Sequence, residues 1–483
     1  MEPVSSRKDQ PFMKLFANKQ MLLILAVIIL VAPLLMRGSA LPIGKEPYLL
    51  DRLSNQFSEK GIIETDTLSY SGRAYVYPLA TVAIISWLKE ILPNTWVIIG
   101  IPILLGILSV WIFYNILQSY GLKKKESSIG ALLLVISPPF IFTFSYLKEF
   151  TIPIFLMLIA LYTLLTHKKK GLGYAILAIM PLFGIEHALV SILILALVYE
   201  KKQKTIVMIT AGILVLLLLA VYLPVTLAQG VPEITIFKER SPLFKLFSDF
   251  GSEFGISIFM FFLAIFGLKD IWVEKYKHKK VYVAIIVLLV FLVINPEYTI
   301  YLNLVLIPLA ALGIIYIFRK KWESKTIKDL TLIIFVLGLL FSSASFLNTY
   351  KNPQPSQPLV DALGFIEQTT QPEDVILSHH SKGIWINAIA KRPNVMDEKT
   401  FYAPSPNERF EDINILFQSR NLEITKEILN RYNIRYILIT PDMKQGRVWD
   451  AEEQGLLFVL KFTPEYFERV YKIQNIEIWK VNL

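Results

Sequence analysis

Cysteine is absent from this chain of 483 residues. The chain therefore has no disulfide, no thiolate zinc site and no cysteine nucleophile. It also lacks a phosphate-cradling glycine loop, a His-Glu-x-x-His pair and a nucleophile elbow. Any catalytic group must be a carboxylate, histidine, lysine, serine or tyrosine, and an extracytoplasmic domain must be held together by packing alone.

Hydrophobic residues are abundant instead. They make up 54% of the sequence, the mean hydropathy is +0.51, and they form repeated runs long enough to cross a bilayer. This pattern predicts a polytopic α-helical membrane protein. The net charge of +10 comes from short basic clusters between the runs, which the positive-inside rule explains without a nucleic-acid partner.

The basic clusters set the predicted topology. Residues 21–36 follow four basic residues and are interpreted as a retained signal anchor with a cytoplasmic N-terminus. Parity then keeps residues 75–92 out of the membrane, makes residues 128–146 one outward span, and breaks residues 171–199 and 281–318 into paired short helices. We expect about eleven crossings and an external C-terminus. The cytoplasmic clusters are residues 123–125, 168–170, 201–204, 275–280 and 319–321.

Two domains are predicted from the change of composition at residue 350. Residues 1–349 form the membrane domain, with long outer loops at residues 37–94 and 229–253. Residues 350–483 form an extracytoplasmic α/β domain, in which helix and strand patterns alternate. The predicted helices there are residues 358–368 and 423–432, and the predicted strands are residues 374–377, 435–440, 469–473 and 477–481, the last two forming a hairpin.

Carboxylates on outer loops are the first candidates for chemistry. A carboxylate beside a membrane can take a proton from an acceptor or hold a divalent cation against a lipid-linked phosphate. The candidates are Glu46, Asp66 and Glu149, and the alternative is that they are simply solvated. Arg73 is a candidate for a bidentate phosphate contact, or else for a headgroup anchor.

Histidines give two further candidate sites. Glu186 and His187 lie near the outer ends of two predicted short helices, where a functional role and a wetted interfacial pair are both open. His379 and His380 are adjacent, so on a strand their side chains point to opposite faces and do not easily share a metal ion. The alternative for this pair is an ordinary surface or core position.

A series of short motifs runs through nearly the whole chain. They are Glu-Pro-Tyr at residues 46–48 with Arg52 behind it, Gly-Arg at 72–73, Tyr-Pro at 77–78, Ser-Tyr-Leu-Lys-Glu at 145–149, Glu-Arg-Ser-Pro at 239–242, and the segments 375–386 and 390–397. Their order and spacing resemble the polyprenyl-phosphate-sugar-dependent membrane glycosyltransferases of the GT-C fold. Within that group they are most similar to the catalytic subunit of oligosaccharyltransferase, in its archaeal single-subunit form.

The resemblance implies roles for individual residues. Glu46, Asp66 and Glu149 are then catalytic, and Glu46 and Glu149 are the expected ligands of a divalent cation, Mg²⁺ or Mn²⁺. Donor binding falls to Arg73, Lys148, Glu239 and Arg240, and the acceptor side to His379, His380 and Lys382.

Some positions depart from the family pattern. Residues 379–382 replace the Trp-Trp-Asp-Tyr that reads the glycosylation sequon, and Leu147 stands where a metal-binding Asp is expected. No arginine occurs between Arg240 and Arg319, where the family has one in the membrane. The lysine at position 148 can replace cation charge beside a phosphate.

Two functions from different classes follow. The first is a multi-pass plasma-membrane enzyme that transfers a sugar or glycan from a polyprenyl-phosphate donor to an extracytoplasmic acceptor other than a standard sequon. The second is a non-catalytic paralogue that binds lipid-linked glycan or partner proteins in an envelope-assembly complex. A transporter is the weaker third reading, because matching halves with broken helices are not apparent.

Overall fold

A computed structural model describes residues 19–38, 41–74, 77–166, 169–229, 246–252, 254–351 and 354–483. The chain divides into two compact units. The first comprises Met1–Leu41, Ile91–Leu218 and Glu239–Asn352, and the second comprises Pro42–Glu90, Leu219–Lys238 and Pro353–Leu483. The prediction places the outer loop at residues 37–94 in the membrane domain, whereas the structure groups most of it with the C-terminal residues. The reason is a set of buried contacts between these segments, described below.

The first unit is built from apolar helices. Five helices in the described residues are long and apolar enough to cross a membrane, or six if one bent pair counts as a span. They are Lys19–Arg37, Trp96–Ser119, Lys201–Leu227, Pro296–Arg319 and Lys325–Asn348, and the bent pair is Lys124–Val135 with Pro138–Ser145. The other predicted crossings fall on shorter apolar helices: Thr151–Leu165, Lys170–Ile179, Ile185–Val198, Ile258–Ile271 and Lys279–Ile294.

Both predicted helix breaks are present. Gly184, with φ of 149°, separates the helix Ile185–Val198 from the preceding turn. Asn295 ends the helix Lys279–Ile294, and its side chain accepts a hydrogen bond from the Glu297 amide at the start of the next turn. Residues 128–146, predicted as one outward span, form a bent pair of helices, because the chain bends by 63° at Pro138. Consecutive prolines there remove two backbone donors from the helix ladder.

Two helices of the first unit approach each other backbone to backbone. A Cβ atom added at Gly267 would lie 1.8 Å from the Leu309 carbonyl oxygen, and one added at Gly313 would lie 1.9 Å from the Leu263 carbonyl oxygen. Small residues at a helix crossing allow this close packing, which gives helices in lipid their van der Waals stabilisation. The reciprocal glycine pair fixes the crossing of Ile258–Ile271 with Thr299–Arg319.

The second unit contains two sheets. A short hairpin pairs β1 (Thr65–Asp66) with β2 (Arg73–Ala74). The larger sheet has the order β3-β4-β6-β5, with β3 parallel to β4 and the other pairs antiparallel. Its strands are β3 (Val375–Leu377), β4 (Ile434–Ile439), β5 (Phe467–Ile473) and β6 (Ile476–Val481). The helices are Glu46–Lys60, Leu79–Ile91, Gln357–Thr369, His380–Trp385, Pro406–Gln418, Leu422–Arg431 and Leu456–Phe462.

Apolar side chains cover both faces of the larger sheet. Along β4, Ile437 and Ile439 point into one buried cluster, while Leu438 points into another. This alternation follows from the two-residue period of a strand. The strands and helices predicted for this part of the sequence are confirmed, including the terminal hairpin. Within residues 77–92 lies the 13-residue helix Leu79–Ile91, which is not among the membrane-length helices; that this segment does not span the membrane stays a prediction.

Candidate functional site

A buried network of four charged side chains lies in the second unit. Asp66 accepts hydrogen bonds from Arg52 Nη1 and Nη2 at 2.9 and 2.8 Å, and from Arg73 Nη2 at 2.9 Å. Arg73 Nη1 lies 2.5 Å from Asp397 Oδ1. The Asp397 carboxylate also accepts the amide of Lys399 at 2.8 Å. The two carboxylates and two guanidinium groups balance in formal charge.

Local structure explains how these residues meet. The β1–β2 register places Asp66 directly opposite Arg73, and Gly72, with φ of 71°, closes the turn between them. The loop is joined to the larger sheet through Asn394, whose amide donates to Leu68 O at 2.9 Å and whose carbonyl accepts from the Tyr70 amide at 2.9 Å. Asp397 follows three residues later, so the same backbone pairing brings it to Arg73.

The charges decide the protonation of Asp66. Burial alone would raise the pKa of its carboxyl, but the hydrogen bonds and charges of Arg52 and Arg73 outweigh burial and hold that pKa well below its usual range. Asp66 is therefore ionised whenever the unit is folded near neutral pH. An ionised carboxylate with both oxygens bonded is the expected partner for two buried guanidinium groups.

These contacts describe the setting of two predicted site residues. Asp66 is 1% exposed and Arg73 is 1% exposed, and each is engaged by the other and by a further charged partner. The ion pair of Arg73 with Asp397 joins the outer loop to the C-terminal part of the same unit. The catalytic role of Asp66 and the donor-binding role of Arg73 stay predictions.

Glu46 has a different setting. It is the first residue of the helix Glu46–Lys60 and is half-buried. The N-terminal end of a helix favours a carboxylate, because unpaired amides and the helix dipole place positive potential there. Immediately before it, Lys45 pairs with Glu398, and the Gly44 carbonyl accepts the indole N–H of Trp385 at 3.1 Å. The chain is therefore anchored at the two positions that precede Glu46.

The predicted acceptor-side residues lie together at the start of the helix His380–Trp385. His379 caps this helix, with its Nδ1 accepting the Ser381 amide at 3.3 Å. Its ring lies 3.9 Å from the ring of His380, centroid to centroid. The expectation that a strand would send the two rings to opposite faces is wrong, because β3 ends at Leu377 and the chain turns into a helix.

Three charged side chains, of which Lys382 is buried, lie near this histidine pair. Lys382 lies 3.0 Å from Asp442 Oδ2, and Arg447 Nε lies 3.2 Å from the same oxygen. Burial, with smaller contributions from nearby cations, lowers the pKa of His379 to about 3, so the ring is neutral at pH 7. Burial also lowers the pKa of Lys382, and Asp442 opposes that shift. Asp442 was not predicted; its only sequence signal is a position just beyond the end of β4.

Lys148 and Glu149 lie in the first unit, in the short turn between Pro138–Ser145 and Thr151–Leu165. The amide of Lys148 donates to Thr151 Oγ1 at 2.9 Å, and its Nζ lies 4.5 Å above the centre of the Phe142 ring. Leu147, where the resemblance expects a metal-binding Asp, is 1% exposed. The turn therefore carries a buried lysine followed in the sequence by a glutamate, and a buried leucine precedes both.

His187 lies in the same unit and packs against the residue that follows Glu149. Its ring stands edge-on to Phe150 at 5.0 Å between centroids, and its Nδ1 is hydrogen-bonded to the Tyr301 hydroxyl. Asn295 donates weakly to Glu186 at 3.4 Å. Tyr301 and Asn295 were not predicted as site residues, since an apolar helix and a helix break were the only signals at these positions.

A metal centre does not emerge from the described side chains. No group of three His, Asp or Glu side chains in the described ranges could hold a metal ion. The expected ligands Glu46 and Glu149 belong to different units, and the predicted donor-binding residues Glu239 and Arg240 lie outside the described residues. A divalent cation stays a prediction, and the chemistry proposed below is assigned to the protein's own side chains.

Comparison with known proteins gives matches in structure but not in sequence. No protein-family model and no curated protein matches the chain. Among solved structures, the oligosaccharyltransferase AglB of Archaeoglobus fulgidus, in complex with an inhibitory peptide and a dolichol-phosphate, matches with a TM-score of 0.61 and 14% identity, over 90% of this chain and 70% of that one.

Two further solved structures extend the comparison. ArnT of Cupriavidus metallidurans, bound to undecaprenyl phosphate, matches with a TM-score of 0.54 and 13% identity, over 95% of this chain and 97% of that one. The arabinofuranosyltransferase AftD from Mycobacteria matches with a TM-score of 0.55 and 14% identity, over 96% of this chain and 42% of that one. All three are GT-C glycosyltransferases, so the resemblance inferred from the motifs is confirmed at the level of the fold: this chain folds as a GT-C membrane protein.

Proposed function

We propose that this protein is a membrane glycosyltransferase that takes a sugar or glycan from a polyprenyl-phosphate-linked donor and passes it to an extracytoplasmic acceptor. The observation that supports this most is the match along 95% of the chain and 97% of ArnT, whose structure contains undecaprenyl phosphate. AglB, in a structure that contains dolichol-phosphate, shares the same fold. The common fold makes a lipid-phosphate donor the first hypothesis, and the roles of individual residues are argued from their side chains.

The donor phosphate is assigned to Lys148 and its neighbour. When the bond between the sugar carbon and the phosphate oxygen breaks, negative charge collects on the departing lipid phosphate. The Lys148 ammonium, set in a mostly buried turn, neutralises that charge more effectively than it would in water. The Lys148 amide donates to Thr151 Oγ1, and this hydrogen bond fixes the turn that carries the ammonium group.

The acceptor proton is assigned to Glu46. As the acceptor oxygen or nitrogen bonds to the sugar carbon, it loses a proton, and the Glu46 carboxylate accepts that proton as a general base. The paired Lys45 and the anchored Gly44 hold the start of its helix in place. Asp66 and Arg73, which the sequence also suggested for chemistry, serve in this scheme as structural residues.

The acceptor is proposed to differ from a standard sequon. The residues at 379–382 offer a neutral His379, its stacked neighbour His380 and a Lys382 already paired with Asp442. This set replaces the Trp-Trp-Asp-Tyr of the resembling family, so it presents different hydrogen-bonding groups to an acceptor. A site built for one set of polar groups discriminates strongly against a ligand that leaves them unpaired.

The test is transfer of labelled sugar from a polyprenyl-phosphate donor pool in proteoliposomes. Glu46→Gln is compared with Glu64→Gln, an exposed glutamate on the same outer loop. Loss of a general base costs a factor of about 100 to 10,000, so the first variant should lose nearly all transfer and the second should keep it. Equal transfer by both variants would remove Glu46 from the mechanism.

A non-catalytic lipid-glycan-binding paralogue is the second candidate. It is favoured by Leu147, which is buried where the resemblance expects a metal-binding Asp. This function predicts that the wild-type protein binds polyprenyl phosphate but transfers no sugar in the same proteoliposomes. Binding should then depend on Lys148 and be indifferent to Glu46→Gln.

The orientation in the membrane is also proposed: basic clusters inside, the second unit outside, with about eleven crossings. Because the chain has no cysteine, single cysteines report accessibility without background. Glu468→Cys should react with an impermeant maleimide on intact cells, and Lys277→Cys should react only after permeabilisation. The reverse labelling would overturn the proposed topology.

A further inference from the structure

The bend at Pro138 is surrounded by polar side chains. Ser137 Oγ donates to the Leu134 carbonyl at 2.8 Å, and Asn303 Nδ2 donates to Ser137 Oγ at 3.1 Å. Ser343 Oγ donates to the Ile136 carbonyl. Each carbonyl lies at the end of the helix Lys124–Val135, where the prolines interrupt the backbone ladder. Satisfying freed backbone groups with neighbouring side chains is what a broken helix in lipid requires.

A small cavity lies beside this bend. Its volume is about 10 Å³, which is close to what one water molecule needs. Most of the residues that line it are apolar and include Leu134, Phe140 and Ile154, but three are polar, namely Ser109, Thr143 and Asn303.

Two polar atoms at this cavity have no hydrogen-bond partner in the described part of the chain: Ser109 Oγ and Asn303 Oδ1. Ser109 is fully buried and Asn303 is 1% exposed. Leaving a buried hydroxyl or amide oxygen unpaired costs about 1 to 3 kcal/mol, and lipid offers no solvent to compensate. Asn303 already uses its amide nitrogen on Ser137, so only its oxygen is unsatisfied.

We propose that the cavity holds one ordered water molecule. The water accepts the Ser109 hydroxyl proton and donates to Asn303 Oδ1. Its second proton goes to Thr143 Oγ1, which donates its own proton to the Pro139 carbonyl at 2.7 Å and so has a free acceptor position. This gives the water three hydrogen bonds, the usual number for a buried water, and leaves neither Ser109 nor Asn303 unpaired.

The site ties three helices together at the point where one of them bends. Ser109 belongs to Ile101–Ser119, Asn303 to Thr299–Arg319 and Thr143 to Pro138–Ser145. The last of these runs directly into the turn that carries Lys148. The water is thus a structural ligand of the bent helix, and its presence does not depend on the proposed glycosyl transfer.

The experiment compares two serines that differ in one respect. Ser109→Ala removes a partner of the water. Ser191 is also a buried serine whose hydroxyl has no hydrogen-bond partner among the described residues, but it does not line this cavity, so Ser191→Ala is the control. Thermal unfolding of the full-length protein in detergent is followed by tryptophan fluorescence. We expect Ser109→Ala to lower the midpoint by about 2 °C and Ser191→Ala to leave it unchanged or raise it.

A cryo-EM map that resolves ordered water provides the direct readout. We expect a single peak within hydrogen-bonding distance of Ser109 Oγ and Asn303 Oδ1 in the wild type, and its loss in Ser109→Ala. An empty cavity, in a map that shows other buried waters, would overturn the proposal. Identical midpoint shifts for Ser109→Ala and Ser191→Ala would overturn it as well.

Discussion

Replacing Asp66 with asparagine removes one negative charge from the centre of the buried network and leaves the side-chain volume almost unchanged. In the wild type, Asp66 accepts three hydrogen bonds from Arg52 and Arg73 and a fourth from the Leu68 amide at 3.1 Å. In the variant, Arg73 keeps its ion pair with Asp397, whereas Arg52 loses its carboxylate partner, and one positive charge is uncompensated. Removing one partner of a buried ion pair costs about 3 to 5 kcal/mol.

The assay is thermal unfolding of the full-length protein in detergent, followed by the fluorescence of its 8 tryptophans. Asp51→Asn is the matched control: Asp51 pairs with Lys89 at 2.6 Å in the same unit, but its side chain is 30% exposed. Because this pair is partly exposed, it contributes less than the fully buried network. We expect Asp66→Asn to lower the midpoint several times more than Asp51→Asn does. Equal midpoint shifts for the two variants would refute the conclusion that Asp66 stabilises the attachment of the outer loop.

The same carboxylate predicts a pH dependence. Because the pKa of Asp66 is lower in the folded unit than its ordinary value near 3.9, its contribution to stability is fully present above that value. Below about pH 4 the unfolded state binds a proton that the folded state does not, so this contribution shrinks as the pH falls. The wild-type midpoint should therefore drop faster between pH 5 and pH 3 than the midpoint of Asp66→Asn.

Further predictions concern helix packing and His379. Gly267→Ala should destabilise the protein by about 1 to 3 kcal/mol or more, because the new methyl group meets the Leu309 carbonyl. Gly212→Ala is the control and should be neutral, because a Cβ atom there meets open space. Equal thermal unfolding midpoints for the two variants would contradict the close helix crossing. The ring of His379 should stay neutral from pH 8 to pH 5, because burial lowers its pKa to about 3; NMR of selectively labelled histidine would contradict this if its signal titrates in that range.

Helix breaks were predictable to different degrees. At Gly184 and Asn295, the basic clusters on both sides required an even number of crossings, so the charge pattern of the sequence predicted a break within each apolar run. At Pro138, the clusters on both sides also required an even number of crossings, and residues 128–146 satisfied that count with residues 150–165 whether the segment was bent or straight. The two consecutive prolines were the only signal there, and parity gave no reason to weigh them.

The roles of charged residues were less predictable than their presence. Asp66 and Arg73 are obvious charges on a polar loop, but a sequence does not show that a hairpin register sets them opposite each other. Nor does it show that Asn394, more than 300 positions away, pairs with the same loop through Leu68. Contacts between distant segments decide whether a charge is buried in an ion pair or available to a ligand.

The buried network also changes what the motifs are evidence for. Gly72-Arg73 and the Asp397 at the end of the 390–397 segment contributed to the resemblance, and the structure joins them by a buried ion pair. A chain that needs this pair to hold its outer loop keeps both residues whether or not it transfers a sugar, because breaking the pair costs stability in either case. Arg73 therefore supports the shared fold and is neutral between the enzyme and the non-catalytic paralogue. Glu46 distinguishes the two functions, since it does not belong to the network and only the enzyme requires a base at this position.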